Sequence, residues 1–531
     1  MRGFHIDMNT AQFNKPYLKK WLKQLSAMGY DTIIWEIEAN VQWNTCPECA
    51  APEAFTKDEF KEIIKLCRSL KMEPIPLFQT LAHCEYVLKY DRYQNLSEEK
   101  GTIKQYCPQN PDVLPFVLKW IDEYIELFGK VKYFHIGADE TWWLGKCEKC
   151  KAYAEKYSLS DLYIDYVNKV VEPLIKKGIT PVIWADMALS HPEALKKLSR
   201  KIVMFDWIYS VRRGDGEVHI WGEKSGKFDR NEIPQKAMKL FKKYLYPHGF
   251  EYGRVPETFY SADYLADNGF DTVTCPGSSS YGDNVFAPRN WYHMTNTFDS
   301  FGKGMAKNLC GSVLTSWTVH LHPWELQLAC IAMPSFIYKY PGKPIQEYQD
   351  YFVNKYFGIK DTAFWQACGL LSIESLFAYT DSLGFSKDCT KVPESYVKDT
   401  ITKISVENRV SAELENCVER HGEYKEALKL FTKLEKKVKK GKGLIKLWQL
   451  MAANLVNRSE AAILLLKNEE NVRNDVPFNE QTAREAQKIL SEMQKLRNET
   501  EKFYLESINP SRVKEYMHWM YDAVEKALKQ K

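Results

Sequence analysis

Eight short apolar runs recur through the first two thirds of the chain, each followed by a loop and an amphipathic helical stretch. Runs of this kind are typical of strands buried on both faces, as in a parallel sheet covered by helices. They are GFHIDM from Gly3, DTIIWEIE from Asp31, EPIPLFQ from Glu73, KYFHIGADE from Lys132, TPVIWAD from Thr180, KIVMFDW from Lys201, DTVTCPG from Asp271 and GSVLTSW from Gly311. Eight such units in about 330 residues predict a closed (β/α)8 TIM barrel, with a doubly wound open sheet as the alternative.

The placement of polar and aromatic side chains favours the barrel over the open sheet. These side chains fall at the carboxyl ends of the predicted strands, where barrel enzymes carry their catalytic groups. They are Asp7, Glu36, Glu38, Gln79, Asp139, Glu140, Asp186, Asp206 and Trp317.

Beyond about residue 335 the strand pattern stops and helical periodicity takes over. Apolar positions recur at helical spacing in LIKLWQLMAANL, from Leu444 to Leu455, and in AREAQKILSEMQKL, from Ala483 to Leu496. We therefore predict two domains, a catalytic barrel over 1–335 and an α-helical C-terminal domain over 336–531. The apolar stripes of the second domain indicate a packed core, so we assign it no chemistry.

Charge and composition limit the classes of partner. A net charge of +4 on 531 residues is too small to indicate nucleic-acid binding, and no apolar stretch is long enough to predict a membrane span. The thirteen cysteines stand mostly as singles in apolar contexts, and the N-terminal residues lack the pattern of a secretory signal. We expect a cytoplasmic protein, and the sequence leaves its oligomeric state open.

The run KYFHIGADE ends in two adjacent carboxylates, Asp139 and Glu140. Side chains alternate along a strand, so both can reach one cavity only where the strand ends and its backbone turns. An N-cap for the following helix would explain one carboxylate but not two. The pair therefore predicts catalytic chemistry at the mouth of the barrel.

The motif HIGADE resembles the signature of glycoside hydrolase family 20, the β-N-acetylhexosaminidases, and in particular the hexosaminidase D-type branch. Supporting motifs occur in the same order as in the family and cover about residues 1 to 330; they are FHIDMN, EIEANV, PLFQTLAHCEYVLKY, CPQNP, VIWADM and LTSW. The resemblance implies substrate-assisted catalysis, in which the 2-acetamido oxygen of the substrate attacks the anomeric carbon.

The resemblance also implies roles for individual residues. Glu140 would protonate the leaving oxygen and later deprotonate water, while Asp139 would hold the acetamide N–H and stabilise an oxazolinium ion. Tyr209 and Tyr281 compete for the tyrosine that holds the acetamide carbonyl, and we lean towards Tyr281. Trp184, Trp207 and Trp317 are predicted to wall the sugar, and Glu38, His83 and Asp186 to bind its hydroxyls. Asn9 stands where many members carry an arginine.

The leading interpretation is a retaining exo-β-N-acetylhexosaminidase that releases terminal β-linked GlcNAc or GalNAc from a glycan or glycoconjugate. One alternative is a GalNAc-specialised or endo-acting enzyme, since loop lengths decide whether the pocket is closed and the insertion at 212–235 lies in position to cover it. The other alternative is a non-catalytic sugar-binding protein on a barrel scaffold.

Two C-x-x-C pairs stand apart from the other cysteines. Cys46 and Cys49 follow the second predicted strand, and Cys147 and Cys150 follow the fourth. This spacing is typical of zinc ligands, and both loops lie on the same rim of a barrel. We predict one structural zinc ion held by four thiolates that braces the loop after Glu140, with two local disulfides or four inert thiols as alternatives. No cofactor is required for the chemistry itself.

Overall fold

The computed structural model describes residues 1–209, 217–222, 225–229, 231–249, 256–373, 376–377, 395–473 and 480–529. The strands are β1 Arg2–Asp7, β2 Thr32–Glu36, β3 Glu73–Leu77, β4 Tyr133–His135, β5 Thr180–Trp184, β6 Val203–Trp207, β7 Glu217–Ile220, β8 Gly226–Asp229, β9 Asp271–Cys275, β10 Gly277–Ser279 and β11 Ser312–Ser316.

Eight of these strands form a closed parallel barrel in the order β1–β2–β3–β4–β5–β6–β9–β11, and the pairing of β11 with β1 closes it. Each strand coincides with one of the eight apolar runs, with β1 beginning one residue before its run, so the predicted barrel is confirmed. The strand β10 follows β9 after Pro276 and continues the pairing with β11. The barrel interior is filled by large apolar side chains, as the runs predicted; they are Ile34, Ile75, Leu77, Val182, Trp184, Val203, Phe205, Val273, Cys275 and Val313.

Helices cover the outside of the barrel and bury one apolar face each. They are α1 Lys15–Ala27, α2 Lys57–Ser69, α3 Glu85–Leu88, α4 Val113–Phe128, α5 Glu148–Lys156, α6 Leu159–Lys176, α7 Asp186–Ser190, α8 Gln235–Leu245, α9 Tyr260–Asp267, α10 Asn290–Lys303, α11 Leu328–Ile331 and α12 Met333–Lys339. Helix α2 illustrates the sequence logic, because a capping box of Thr56 and Glu59 starts it. Its residues Phe60, Ile63 and Cys67 then recur at helical spacing and are buried.

The described residues after the barrel form helices alone, as the periodicity predicted. They are α13 Ile345–Phe357, α14 Ala363–Leu370, α15 Tyr396–Val406, α16 Val410–Lys437, α17 Lys442–Arg473, α18 Glu480–Tyr504 and α19 Pro510–Lys529. Among the described helices, none has an apolar stretch that would let it cross a bilayer.

The C-terminal helices pack directly against the barrel rim. Tyr516 of α19 accepts a hydrogen bond from the backbone N–H of Leu321, just beyond β11, at 2.9 Å. Phe13, before α1, forms an antiparallel bridge with Ile508, before α19. The helical part therefore braces two of the loops that surround the mouth of the barrel.

The strands β7 and β8 form an antiparallel hairpin between β6 and α8. The hairpin lies within the insertion at 212–235, of which 212–216, 223–224 and 230 lie outside the described residues. His219 and Lys227 of the hairpin reach the cavity described below.

Candidate active site

The backbone turns sharply where β4 ends, which brings two adjacent side chains to one side. Gly137, Ala138 and Glu140 have φ angles of 65°, 67° and 47°, in the left-handed region that residues other than glycine rarely occupy. His83, in the loop after β3, is also left-handed, with φ 55°. Strained backbone of this kind clusters at functional sites, and here it turns both Asp139 and Glu140 towards one cavity.

The cavity at the carboxyl end of the barrel has a volume of about 600 Å³. Its lining residues come from the loops after most of the barrel strands, together with the β7–β8 hairpin. They are Asp7, Asn9, Thr10, Glu36, Gln79, His83, Glu85, Asp139, Glu140, Trp207, Ile208, Tyr209, His219, Lys227, Ser280, Tyr281, Gly282, Arg289, Tyr292, Trp317, Thr318 and Val319. Of the predicted catalytic and sugar-binding residues, this set includes Asp139, Glu140, Tyr209, Tyr281, His83, Trp207 and Trp317.

His83 sits between the two carboxylates. Its Nε2 lies 3.3 Å from Asp139 Oδ2 and 3.5 Å from Glu140 Oε2. Burial alone would lower the pKa of His83, but the charges and hydrogen bonds of Asp139 and Glu140 raise it well above its ordinary value. In its charged form, His83 lies within ion-pair distance of both acids.

The two carboxylates differ in their surroundings. The side chain of Asp139 is only 8% exposed, and that of Glu140 is 38% exposed. Asp139 Oδ1 is buried and has no hydrogen-bond partner among the described residues. Asp139 is thus shielded from solvent and has one oxygen atom without a hydrogen-bond donor among the described residues. Glu140 is open to solvent and to a ligand.

Asp186 lies behind this pair and does not line the cavity. Its Oδ2 accepts a hydrogen bond from the backbone N–H of Glu140 at 2.9 Å. Burial, followed by the charge of Asp139, raises the pKa of Asp186 well above its ordinary value. The structure therefore places Asp186 as a support for the turn that carries Glu140.

An aromatic wall faces the carboxylates. Trp207 and Tyr209 stack with ring centroids 5.2 Å apart, and the indole N–H of Trp317 donates to the Tyr209 hydroxyl oxygen at 2.8 Å. Thr315 Oγ1 lies 3.3 Å from the same oxygen. Trp184 is fully buried behind this wall and packs against Trp317 with ring centroids 5.5 Å apart.

The two candidate tyrosines occupy different environments. Tyr209 is held within the wall, and burial raises the pKa of its phenol well above the ordinary value. Tyr281 stands at the cavity mouth and is 63% exposed. Its backbone carbonyl accepts a hydrogen bond from Arg289 at 2.9 Å, and Arg289 also pairs with the buried Asp283.

The floor of the cavity is a network of buried polar groups from β1, β2 and β3. Glu36 contacts His5 Nε2 at 2.9 Å and accepts from Gln79 Nε2 at 2.8 Å. Burial and the charge of Glu36 raise the pKa of Asp7 to about 6. Glu38 does not line the cavity; it accepts from Asn9 Nδ2 at 3.1 Å.

Several lining residues carried no assigned role in the sequence analysis. Asp7, Glu36 and Gln79 were recognisable only as polar strand ends. Lys227 and Arg289 gave no sequence signal, because they belong to a hairpin and a loop that lie away from the barrel strand ends in the chain. Only the tertiary structure brings their charges to the cavity mouth.

The predicted set of zinc ligands requires a correction. Cys46 and Cys49 form a disulfide with each other, so they are not available as thiolates. Cys147 and Cys150 instead meet Cys107 and Glu98 in a cluster that can hold a metal ion. Neither Cys107 nor Glu98 belongs to a C-x-x-C pair, so pairing the two motifs by spacing led to the wrong set.

Residues 1–215 match the sequence model of the family described as "Glycosyl hydrolase family 20, catalytic domain". The chain is also similar to the curated proteins Hexosaminidase D of Bos taurus and of Homo sapiens, each 29% identical over 198 residues that make up 36% of this chain. It spans 57% and 41% of the lengths of these two relatives.

Among solved structures, the chain is similar to a β-N-acetylhexosaminidase from Bacteroides fragilis, with a TM-score of 0.47 and 15% identity over 67% of this chain and 69% of that one. It is also similar to a family 20 exo-β-N-acetylglucosaminidase from Vibrio harveyi, with a TM-score of 0.46 and 16% identity over 65% of this chain and 55% of that one. The matched segment, residues 1–215, contains both Asp139 and Glu140. Residues 1–215 of the barrel, including this acidic pair, are therefore similar to the catalytic domain of glycosyl hydrolase family 20.

Proposed function

We propose that the barrel is a retaining exo-β-N-acetylhexosaminidase that releases terminal β-linked GlcNAc or GalNAc from a glycan or glycoconjugate. The observation that carries the proposal is that Asp139 and Glu140 reach the same cavity in different environments, one shielded and one open. The name of the curated relatives, Hexosaminidase D, agrees with this activity.

Glu140 acts as the general acid and base. Its partial exposure lets it reach the glycosidic oxygen of a bound sugar, and its backbone is held by Asp186. As the bond between the anomeric carbon and that oxygen breaks, Glu140 gives its proton to the leaving oxygen. It later takes a proton from the water that attacks the anomeric carbon.

Asp139 and Tyr209 orient the acetamido group of the substrate. The carboxylate of Asp139, which lines the cavity, accepts the acetamide N–H and so aims the acetamide oxygen at the anomeric carbon. The Tyr209 oxygen already accepts from Trp317, so its own hydrogen can donate to the acetamide carbonyl. An internal nucleophile held in this way can lower the barrier by about 7–11 kcal/mol, so the protein needs no carboxylate nucleophile.

The first step forms a bond from the acetamide oxygen to the anomeric carbon and releases the aglycone, giving an oxazolinium ion beside the Asp139 carboxylate. Water then opens this ion at the same carbon, which restores the acetamide and the original β configuration. Asp7, Glu36 and Gln79 are buried and line the cavity. Exo action requires that these groups close the end of the cavity beyond the terminal sugar.

The test compares three 4-nitrophenyl glycosides that differ only in the sugar: N-acetyl-β-glucosaminide, N-acetyl-β-galactosaminide and plain β-glucoside. We expect release from the first two and negligible release from the third, which lacks the nucleophile. Proton NMR should show the β anomer of the released sugar first. Equal cleavage of the β-glucoside would overturn substrate assistance, and no cleavage of any substrate, with binding retained, would favour a sugar-binding protein.

The Asp139→Asn, Glu140→Gln double variant is the matched control for this test. It keeps the size of both side chains, replaces one carboxylate oxygen of each by an amide NH2 group and removes their charges. Residual hydrolysis by this variant at the wild-type rate would show that another group carries the reaction.

A further inference from the structure

A cluster of metal-ligating side chains lies in the barrel loops, outside the active-site cavity. It consists of the Glu98 carboxylate and the thiols of Cys107, Cys147 and Cys150, whose ligand atoms all lie within 4.8 Å of one another. Cys107 Sγ is 3.5 Å from Cys147 Sγ and 3.6 Å from Cys150 Sγ, and Cys150 Sγ is 3.2 Å from Glu98 Oε2. Three of the four residues are buried, and Cys147 is half-buried.

These distances are close to those of a tetrahedral zinc site. Zinc binds thiolate sulfur at about 2.3 Å, so two sulfur atoms on neighbouring corners of a tetrahedron lie about 3.8 Å apart. The two sulfur pairs that Cys107 forms, with Cys147 and with Cys150, need to move by only a few tenths of an ångström to reach that separation. Three soft thiolates with one carboxylate oxygen suit zinc and disfavour magnesium and calcium, which prefer oxygen ligands alone.

Backbone groups hold the cluster in place. Glu98 Oε1 accepts hydrogen bonds from the N–H groups of Lys146 at 2.8 Å and Cys147 at 3.1 Å. This leaves Oε2 directed at the thiols. The N–H of Cys150 points to Cys147 Sγ at 3.4 Å, as expected for a donor to a thiolate. Such outer contacts orient the ligands of a metal site.

We propose that Glu98, Cys107, Cys147 and Cys150 bind a structural zinc ion. Four protein ligands leave no open position for water or substrate, so the ion takes no part in glycoside cleavage. The assignment is independent of the proposed activity, because it rests only on the geometry of these four residues.

The position of the site indicates that the ion links two loops of the active site. Glu98 and Cys107 lie in the loop after β3, which also carries His83, and Cys147 lies in the loop after β4, which carries Asp139 and Glu140. Close to the cluster, Gln105 Oε1 accepts from the Trp143 N–H at 3.2 Å. Zinc would join the two loops and so fix His83 against both acids.

The first test measures zinc in the full chain, purified from zinc-supplemented cells without chelator, by plasma mass spectrometry. We expect about one zinc ion per chain. Cys107→Ser should bind zinc at least ~100-fold more weakly in competition with a chromophoric chelator. The Cys46→Ser, Cys49→Ser double variant and the exposed Cys310→Ser should keep the full content.

Glu98→Cys separates loss of a ligand from loss of folding. It replaces oxygen by sulfur and should still bind one metal ion, and its cobalt form should show a stronger thiolate charge-transfer band than cobalt wild type. Removing zinc from the wild type should lower Tm and speed hydrogen exchange in 81–107 and 138–150 but not in α16 or α17.

The proposal fails on any of three results. Zinc-free protein from supplemented cells, with Cys107, Cys147 or Cys150 joined in a disulfide, would overturn the site. Stoichiometric iron or copper would overturn the choice of metal. Loss of zinc from the Cys46→Ser, Cys49→Ser variant, with Cys107→Ser unaffected, would return the ligands to the other pair.

Discussion

Replacing Tyr209 by phenylalanine removes one oxygen atom and keeps the ring that stacks on Trp207. In the structure that oxygen accepts the indole N–H of Trp317 at 2.8 Å and lies in the cavity beside the acids. In the proposed mechanism its hydrogen steadies the acetamide oxygen while that atom attacks. The variant therefore tests the donor without disturbing the wall.

Two magnitudes separate the effect on catalysis from the effect on folding. One donor to an oxygen whose charge changes in the transition state contributes about 2.7–4 kcal/mol, or 10²–10³ in kcat. The variant also leaves the indole N–H of the half-buried Trp317 without its acceptor, which costs up to about 1–3 kcal/mol of stability. We expect a protein that is still folded at 25 °C, with kcat reduced by ~10²–10³ and a modestly lower Tm.

The assay is hydrolysis of 4-nitrophenyl N-acetyl-β-glucosaminide, with kcat and KM measured separately and folding checked by thermal denaturation. This leaving group departs without much help from an acid, so the rate reports the attack by the acetamide. Tyr281→Phe is the matched control: it removes the same atom from a side chain that is 63% exposed. Its kcat should stay within about twofold, as for most surface changes.

A kcat that falls by two to three orders of magnitude in Tyr281→Phe but not in Tyr209→Phe would refute the role of Tyr209. That result would assign the acetamide carbonyl to Tyr281, the residue that the sequence motif favours. Equal and small effects of both variants would remove the tyrosine donor from the mechanism altogether.

Three further predictions concern the same rim. Glu140→Gln should lower kcat ~10²-fold or more on alkyl or sugar aglycones and far less on 4-nitrophenol; an equal loss on both would contradict its role as acid. Gly137→Ala should destabilise by about 1–3 kcal/mol in urea denaturation, since φ is 65° and the new Cβ would lie 1.9 Å from the Gln79 side chain, whereas Gly302→Ala in α10 should not destabilise. The raised pKa of His83 adds stability below about pH 6.5 that is lost as pH rises through the raised value, so Tm of wild type minus that of His83→Gln should fall with pH; a constant difference would exclude the ion pairs.

The barrel was predictable from sequence because its strands are buried on both faces and its polar residues follow those strands. The run KYFHIGADE predicted both β4 and the paired acids at its end, because a strand and the turn after it are local features. The left-handed φ of Ala138 and Glu140 was foreseen only as a requirement that the backbone turn.

Contacts between distant segments were beyond the reach of the sequence. Cys107 lies 40 residues before Cys147, as a single cysteine with no partner at metal-ligand spacing. Glu98 is one of many acids. The sequence also did not predict which aromatic side chains reach the cavity. Trp184 and Trp317 both lie at the ends of apolar strands, yet of these two only Trp317 lines the cavity. Depth depends on barrel tilt and on neighbouring side chains.

The bridge between Phe13 and Ile508 bears on how the molecule is assembled. Nearby, the side-chain amide of Asn14 donates to the carbonyl of Glu506, a partner 492 positions away along the chain. Asn14 is synthesised long before Glu506, and contacts between segments so far apart in the chain form slowly. The loop after the first strand therefore lacks these contacts until residues 506–508 have been synthesised. A fragment ending near residue 335 would retain all eight barrel strands, but its loop after β1 would permanently lack the contacts with residues 506–508.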